Sequence, residues 1–314
     1  MTSKTAGDYD AAALSVLEAS MMLRHKAMYA DLHSGSKEVD GFDRRAAAYN
    51  REVDKYSAAV LETNARKLAS LGGFAAALGK LHQAPPPPPT PRVQALPAGI
   101  LASQQTSEIR RTGVAFGVSL DAIVSADEAE TLVTLSEQLT YRHIVKRLST
   151  NYTQVLPERT NVRCVVHDAA LAAHFWPLVR DHVPASFQDR SGTWVARRLN
   201  PCFRFCKYEP GQLFAAHTDD VYRSRDGMSE RSFVTFVLYL NDGYAGGTLR
   251  FLRSRWGTRG QRQADNVLAE VVPTAGQCLL FQHDLLHEAM PPSGPLPKYL
   301  VRTDVVYSNT SKRR

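Results

Sequence analysis

The stretch from Cys202 to Asn309 narrows the choice of folds more than any other part of the chain. It is a succession of short apolar runs, "CFRFCKYEP", "RSFVTFVLYLND", "GTLRFLR", "LAEVVP", "QCLLFQ" and "KYLVRTDVVYS", rich in β-branched and aromatic residues and separated by Gly, Pro, Asn and Asp. Runs of this length and composition read as strands. Pro273-Thr-Ala-Gly276 supplies a turn between two of them. No helix of 10–15 residues alternates with these strands, which argues against a doubly wound parallel sheet. A barrel or sandwich of antiparallel strands remains.

Upstream the pattern differs. Leu14, Leu17, Met21 and Met28, and then Tyr49, Val53, Tyr56 and Val60, recur at helical spacings. The turn-rich "HSGSKEVDG" lies between the two groups. Residues 1–83 are therefore expected to form a helical interaction segment without chemistry of its own. Five consecutive prolines follow, Pro85 to Pro89; they cannot continue a helix and favour polyproline II. Residues 84–99 read as a semi-rigid linker, and a partner protein could bind there or on the helices. Residues 100–314 form the remaining domain, with its core over 200–307. Within it "GVAFGVSLDAIV" is β-rich, "SADEAETLVTLSEQL" is a helix capped by Ser125, and "HDAALAAHFWPLVRDHV" is another helix.

Composition sets outer bounds. With 44% hydrophobic and 22% charged residues, the 314-residue chain has the make-up of a globular protein with a sizeable core. No apolar run approaches the length of a membrane span, and the acidic N-terminus "MTSKTAGDYDAAAL" lacks the basic flank of a secretory leader. Cys164, Cys202, Cys206 and Cys278 form no C-x-x-C pair. Reduced thiols and a cytoplasmic or nuclear setting are expected. The net charge of +7 permits an anionic partner without requiring one. Its densest patch is "RFLRSRWGTRGQR", five arginines around Trp256, which reads as a solvated loop beside a site or as a nucleic-acid contact.

Chemistry enters with His217-Thr-Asp219 in "GQLFAAHTDD". Residues i and i+2 of an extended chain project to one side, so an imidazole and a carboxylate there can grip one metal ion. The third ligand is sought in "QCLLFQHDLLHEAM", where His283 and His287 stand four apart. That spacing suits a zinc helix, but the apolar run before it brings the chain in as a strand. Two histidines and one carboxylate suit instead a facial triad for non-haem Fe(II), which leaves three coordination positions open.

These segments, with the upstream "NVRCVVHDAALAAHFWPLV", resemble the prolyl-4-hydroxylase-like branch of the Fe(II)- and 2-oxoglutarate-dependent dioxygenases, in family order over roughly residues 200–307. The resemblance implies a mainly β fold, a double-stranded β-helix (jelly roll) with flanking helices. It implies that His217, Asp219 and His287 hold the iron, with His283 beside them as a decoy or support. It assigns the remote carboxylate of 2-oxoglutarate to Lys298, with Arg302 as rival, and places Tyr239 and Tyr208 along the same pocket. Arg204 shares a strand face with Tyr208 and is the substrate-contact candidate. Ala289 stands where the family often has Gly, which touches the turn and leaves iron binding intact.

The activity implied is oxidative decarboxylation of 2-oxoglutarate to succinate and CO2, coupled through O2 to hydroxylation of a substrate C–H, with ascorbate as a supporting reductant. A protein or peptide side chain is the expected substrate, proline first. A small-molecule hydroxylase and a nucleic-acid demethylase are alternatives on the same scaffold. The second ranks lower, since Tyr307, Ser308 and Asn309 stand where such demethylases carry another arginine. A non-catalytic jelly-roll binding module is an answer of a different class, opposed by the intact triad and Lys298.

Overall fold

The computed structural model describes Leu14 and residues 39–81, 91–97, 116–143, 159–255 and 263–311. Most of the helix expected around Leu14–Met28, the Pro85–Pro89 run and the part of the basic loop around Trp256 lie outside the described residues. Among the described residues no helix is long and apolar enough to cross a membrane.

The second periodic run forms α1, Val39–Ser70, and Tyr49, Val53, Tyr56 and Val60 are all buried along one face of it. After a glycine break comes α2, Phe74–Leu81. This helical segment shares its core with the strands that follow. Leu68, Phe74 and Leu78 belong to the main apolar cluster, and the Phe74 ring stacks on Phe205 at 4.7 Å. Asn64, fully buried in α1, accepts from the Thr140 N–H at 2.8 Å and reaches the Val165 carbonyl at 3.3 Å.

The stretch read as a spacer contributes an edge strand. β1, Val93–Ala95, pairs antiparallel with β2, Gly117–Leu120, and Leu96 is buried just beyond it. Edge positions tolerate flanking prolines, and the proline run masked the alternation of "RVQAL". Next comes α3, Ala126–Glu137, whose N-terminus carries a full capping box between Ser125 and Glu128. β3 (Arg142–His143), β4 (Val162–His167) and α4 (Ala169–Val179, capped by Asp168) precede a hairpin of β5 (Ser186–Asp189) and β6 (Gly192–Leu199).

Six of the remaining strands match the expected runs, β7 (Cys202–Tyr208), β9 (Glu230–Tyr239), β11 (Leu249–Leu252), β12 (Val267–Val271), β13 (Cys278–Gln282) and β16 (Lys298–Asn309), and four short ones were not among those runs, β8 (Phe214–His217), β10 (Ala245–Gly246), β14 (His287–Ala289) and β15 (Pro292–Ser293). They build a jelly roll. The major sheet runs β1-β2-β13-β9-β16-β7-β4-β3, with β6 also on β16, and the minor sheet runs β12-β11-β14-β8. All the strand pairings are antiparallel.

Alternation along the strands divides the interior in two. Phe203, Phe205, Phe236, Leu238, Leu280 and Val301 face the helices. Cys206, Tyr208, Val237, Tyr239, Leu279 and Leu300 face inward, against Leu249, Phe251 and Ala289 of the minor sheet. The site occupies this second layer. One tight corner closes it: Gly276 has φ of +80°, and a Cβ there would lie 2.3 Å from the Val124 carbonyl oxygen. Only glycine fits such a position.

Candidate active site

Two strands of the minor sheet bring the histidines together. β8 and β14 pair antiparallel with His287 opposite His217, and the ring centroids are 4.2 Å apart. Asp219 lies two residues past the end of β8, where its backbone N–H donates to the His283 carbonyl at 2.7 Å. One ligand atom from each of His217, Asp219 and His287 falls within 4.8 Å of the others. His217 Nε2 is 3.7 Å from one Asp219 oxygen and His287 Nε2 is 3.8 Å from the other.

The tautomers suit a metal. Nδ1 of His217 lies 2.8 Å from the Ala215 carbonyl, and Nδ1 of His287 lies 2.8 Å from the Leu285 carbonyl. A carbonyl only accepts, so each Nδ1 carries the proton and each Nε2 presents a lone pair to the shared space. Burial, reinforced at His217 by the facing His287, pushes both imidazoles towards the neutral form. Burial alone would raise the Asp219 carboxyl, but Arg302 and the surrounding imidazoles outweigh it and hold the group well below the usual carboxylate range. Two neutral nitrogens and one carboxylate are a donor set that suits a divalent ion such as Fe(II).

The four-residue spacing of His283 and His287 is not helical. A turn closes between Gln282 and Leu285, and the two rings go to different places. His283 is fully sealed in the sheet, with Nε2 2.7 Å from Ser232 Oγ and Nδ1 2.8 Å from Thr235 Oγ1. Thr235 gives its single hydrogen to Asp219 Oδ2 at 2.6 Å. The relay of donors therefore runs from Ser232 through His283 and Thr235 to the carboxylate. Asp219 Oδ1 is held from the other side by Arg302 at 3.1 Å. We expect Thr235→Val to weaken divalent-metal binding by about tenfold to a hundredfold, read by titration of the folded protein with Fe(II) or Ni(II). Unchanged affinity would mean that these hydrogen bonds do not orient Asp219.

Lys298 and Arg302, rivals in the sequence, occupy different ends of the cavity. Both project inward from β16, but Arg302 is engaged by Asp219 and, at 3.4 Å, by Asp304. Lys298 is fully buried at the far end, with Nζ 2.5 Å from the Gly247 carbonyl and above the rings of Tyr239 and Tyr208 at 5.3 and 5.5 Å. Burial brings its ammonium down to about 7, with Cys206 acting in the opposite direction. The hydroxyl of Tyr239, whose ring Lys298 overlies, is buried and has no hydrogen-bond partner among the described residues. A buried lysine without a carboxylate, over a ring whose hydroxyl is unsatisfied, is the receptor that a bound carboxylate would complete. Tyr208 lines the same cavity with Val237, Leu249 and Leu300.

Sequence reasoning did not single out Phe214, Arg159 or Thr235. Phe214 stacks on His217 with centroids 3.4 Å apart, and the Arg159 guanidinium lies 4.1 Å over its ring. Thr235 had one legible signal: it is the one aliphatic hydroxyl in the apolar and aromatic run "FVTFVLY". Arg204, the substrate-contact candidate, is on the inward face of β7 and pairs with Asp304 at 3.4 Å.

A sequence profile described as the 2OG-Fe(II) oxygenase superfamily matches residues 203–303, which take in all three members of the His217, Asp219 and His287 cluster. Among curated proteins none matches this sequence. Three solved structures are similar at low identity. A prolyl-4-hydroxylase of Pseudomonas putida is 18% identical, with 65% of this chain and 98% of that one covered and a TM-score of 0.41. A prolyl hydroxylase of Trichoplax adhaerens, in complex with a hypoxia inducible factor peptide fragment, is 15% identical, with 68% and 95% covered and a TM-score of 0.42. The viral collagen prolyl hydroxylase of Paramecium Bursaria Chlorella virus-1, a 2OG complex, is 13% identical, with 63% and 98% covered and a TM-score of 0.39. The profile match spans the strands that carry the donor cluster and the buried lysine, so residues 203–303 of this chain are similar to the domain of the 2OG-Fe(II) oxygenase superfamily.

Proposed function

We propose that His217, Asp219 and His287 hold Fe(II), that Lys298 and Tyr239 hold the remote carboxylate of 2-oxoglutarate, and that the enzyme hydroxylates a C–H bond of a residue in a protein or peptide, proline first among the candidates. The observation that carries this reading is the juxtaposition of the donor cluster with a buried lysine in one cavity, the lysine lying over the ring of Tyr239, whose hydroxyl is buried and unsatisfied. The ordered prolyl-4-hydroxylase-like motifs of the sequence support proline. When bound, the iron supplies the dioxygen chemistry, with ascorbate keeping it reduced.

The protein's own part is binding, orientation and exclusion of water. The two Nδ1–H donors fix the imidazoles, Thr235 and Arg302 fix the carboxylate, and Lys298 fixes the length of the co-substrate against the metal. The inward-facing apolar residues Val237, Leu249 and Leu300 keep the pocket dry. The helical segment 1–83 and the proline-rich linker are proposed to contact a partner protein, on a body that their own core residues tie to the jelly roll.

Lys298 makes co-substrate binding depend on pH. Its folded value of about 7 lies below the ordinary 10.5, so the empty site loses its proton as pH rises through neutrality. The carboxylate needs the charged form. We therefore expect 2-oxoglutarate affinity to fall above about pH 7, by up to about tenfold per pH unit, with a proton taken up on binding. Calorimetry in two buffers of different ionisation enthalpy checks this, and an affinity flat from pH 7 to 9 would contradict it. The empty protein shows the opposite trend. Unfolded Lys298 keeps its proton up to about 10.5, so this residue's contribution to stability rises over the same window.

The function itself is tested with purified protein, Fe(II), ascorbate and 2-oxoglutarate, screening peptides from a cell extract for +16 Da products in parallel with methylated oligonucleotides. Oxidised proline peptides are the expected product. Demethylated oligonucleotide without modified peptide would transfer the assignment to nucleic acid.

A further inference from the structure

The inward face of the major sheet carries more positive charge than the metal and co-substrate sites use. Arg163 on β4 stands opposite Cys206, Arg204 on β7 stands opposite Arg302 on β16, and β4 and β7 are neighbours. Arg159 joins them from the loop before β4, with its guanidinium 3.6 Å from Cys206 Sγ and its Nε on the Asn161 side chain. The carboxylates against these four are few. Asp304 is shared between Arg204 and Arg302, and Asp219 belongs to the metal cluster. Asp220 is exposed and only adds to the field at Arg302. Arg159 and Arg163 have no carboxylate partner among the described residues.

Such an arrangement is costly when empty. Like charges gathered on a partly buried face repel one another. The effect registers on Arg163, which burial, followed by the nearby Arg159, brings down to about 10. The group is on the other side of the donor cluster from Lys298, since Arg302 on the same strand contacts Asp219 while Lys298 does not. It therefore flanks the place where a substrate, and not the co-substrate, has to lie.

We infer that the substrate is a peptide with an Asp or Glu near the residue that is hydroxylated, and that Arg159, Arg163 and Arg204 receive that carboxylate. This rests on the peptide reading proposed above and gives it a chemical class. Guanidinium forks match carboxylates in a two-point geometry that a lysine cannot offer. A nucleic acid strand fits less well, because its recognition uses open aromatic faces for the bases. Phe214, the ring stacked on His217, has Arg159 over its other face.

The test is a selection with the full-length protein loaded with Ni(II) and 2-oxoglutarate. Peptides of random sequence around one fixed proline are retained on the immobilised protein at low salt, and the bound pool is sequenced. Asp and Glu should be enriched about threefold or more near the proline, with the enrichment lost in about 0.5 M salt. The variants Arg159→Gln and Arg163→Gln, each checked for folding by circular dichroism, should flatten it. A pool without acidic enrichment overturns the proposal. So does an oligothymidylate competitor that displaces the peptides more effectively than an acidic peptide does. 2-Oxoglutarate binding is measured on the same preparation without peptide. Its absence alongside intact acidic selection would count against the proposed function and not against this inference.

Discussion

His287→Ala should abolish conversion of 2-oxoglutarate to succinate, a loss of about a thousandfold or more, because it removes one of the three proposed metal ligands and with it the chemistry the metal would supply. The fold should survive. His287 sits at the start of a three-residue strand, and its ring contacts His217 and Phe281 without bridging the two sheets by hydrogen bonds from Nε2. Truncating a buried ring leaves a cavity that costs on the order of 2–4 kcal/mol, so the variant should melt earlier but cooperatively. His283→Ala provides the contrast. It leaves three ligands in place but strips Ser232 and Thr235 of a buried partner, so it should lose stability to a similar degree while keeping measurable succinate formation and a weakened grip on metal. Equal, complete loss of turnover in both variants, with both folded, would contradict the assignment of His287 as the ligand.

Lys298→Met should separate stability from function in opposite directions. The lysine is sealed among Tyr208, Tyr239 and Leu300 with only a carbonyl oxygen as partner, and burial depresses its ammonium strongly. Replacing a buried, unpaired cation with an apolar side chain of similar volume is often stabilising. The empty variant should therefore melt at a higher temperature than the native protein near neutral pH. Its affinity for 2-oxoglutarate should fall by about a hundredfold or more, since the remote carboxylate would then be buried against the thioether with no cation. Metal binding in the absence of 2-oxoglutarate should be unchanged. A gain in stability accompanied by lost binding is the trade expected of a residue kept for function. Arg302→Met, by contrast, should weaken metal retention through Asp219. If it were instead the variant that lost 2-oxoglutarate selectively, the two roles would have to be exchanged.

How far the sequence reaches is clearest residue by residue. The strands from Cys202 to Asn309 were legible because each is short, apolar and bounded by turn residues. Their period of two also placed Lys298 and Arg302 on one face. What period two cannot give is depth along the cavity, and depth is what sends Lys298 to Tyr239 and Arg302 to Asp219. The hairpin Ser186–Leu199 escaped notice because its signal, "DRSG" between modestly apolar flanks, is no stronger than many loops. The strand at Val93–Ala95 was hidden by the prolines around it. His283 was expected to be something other than a ligand, and its place depends on partners about fifty residues away in β9, a tertiary fact that no local pattern encodes. The same holds for the helical segment: its periodicity announced a buried face over Tyr49–Val60, and only the structure shows that Phe74, in the next helix, stacks on Phe205 of the jelly roll.

The central claim is that one cavity binds both the metal and 2-oxoglutarate. Anaerobic titration of the purified protein with Fe(II) and then 2-oxoglutarate, followed by visible absorption, tests it most directly. A charge-transfer band of the iron–2-oxoglutarate chelate should appear only when both are present, require His287, and need a far higher 2-oxoglutarate concentration in Lys298→Met. A native protein that takes up Fe(II) but develops no such band at any 2-oxoglutarate concentration would contradict the account.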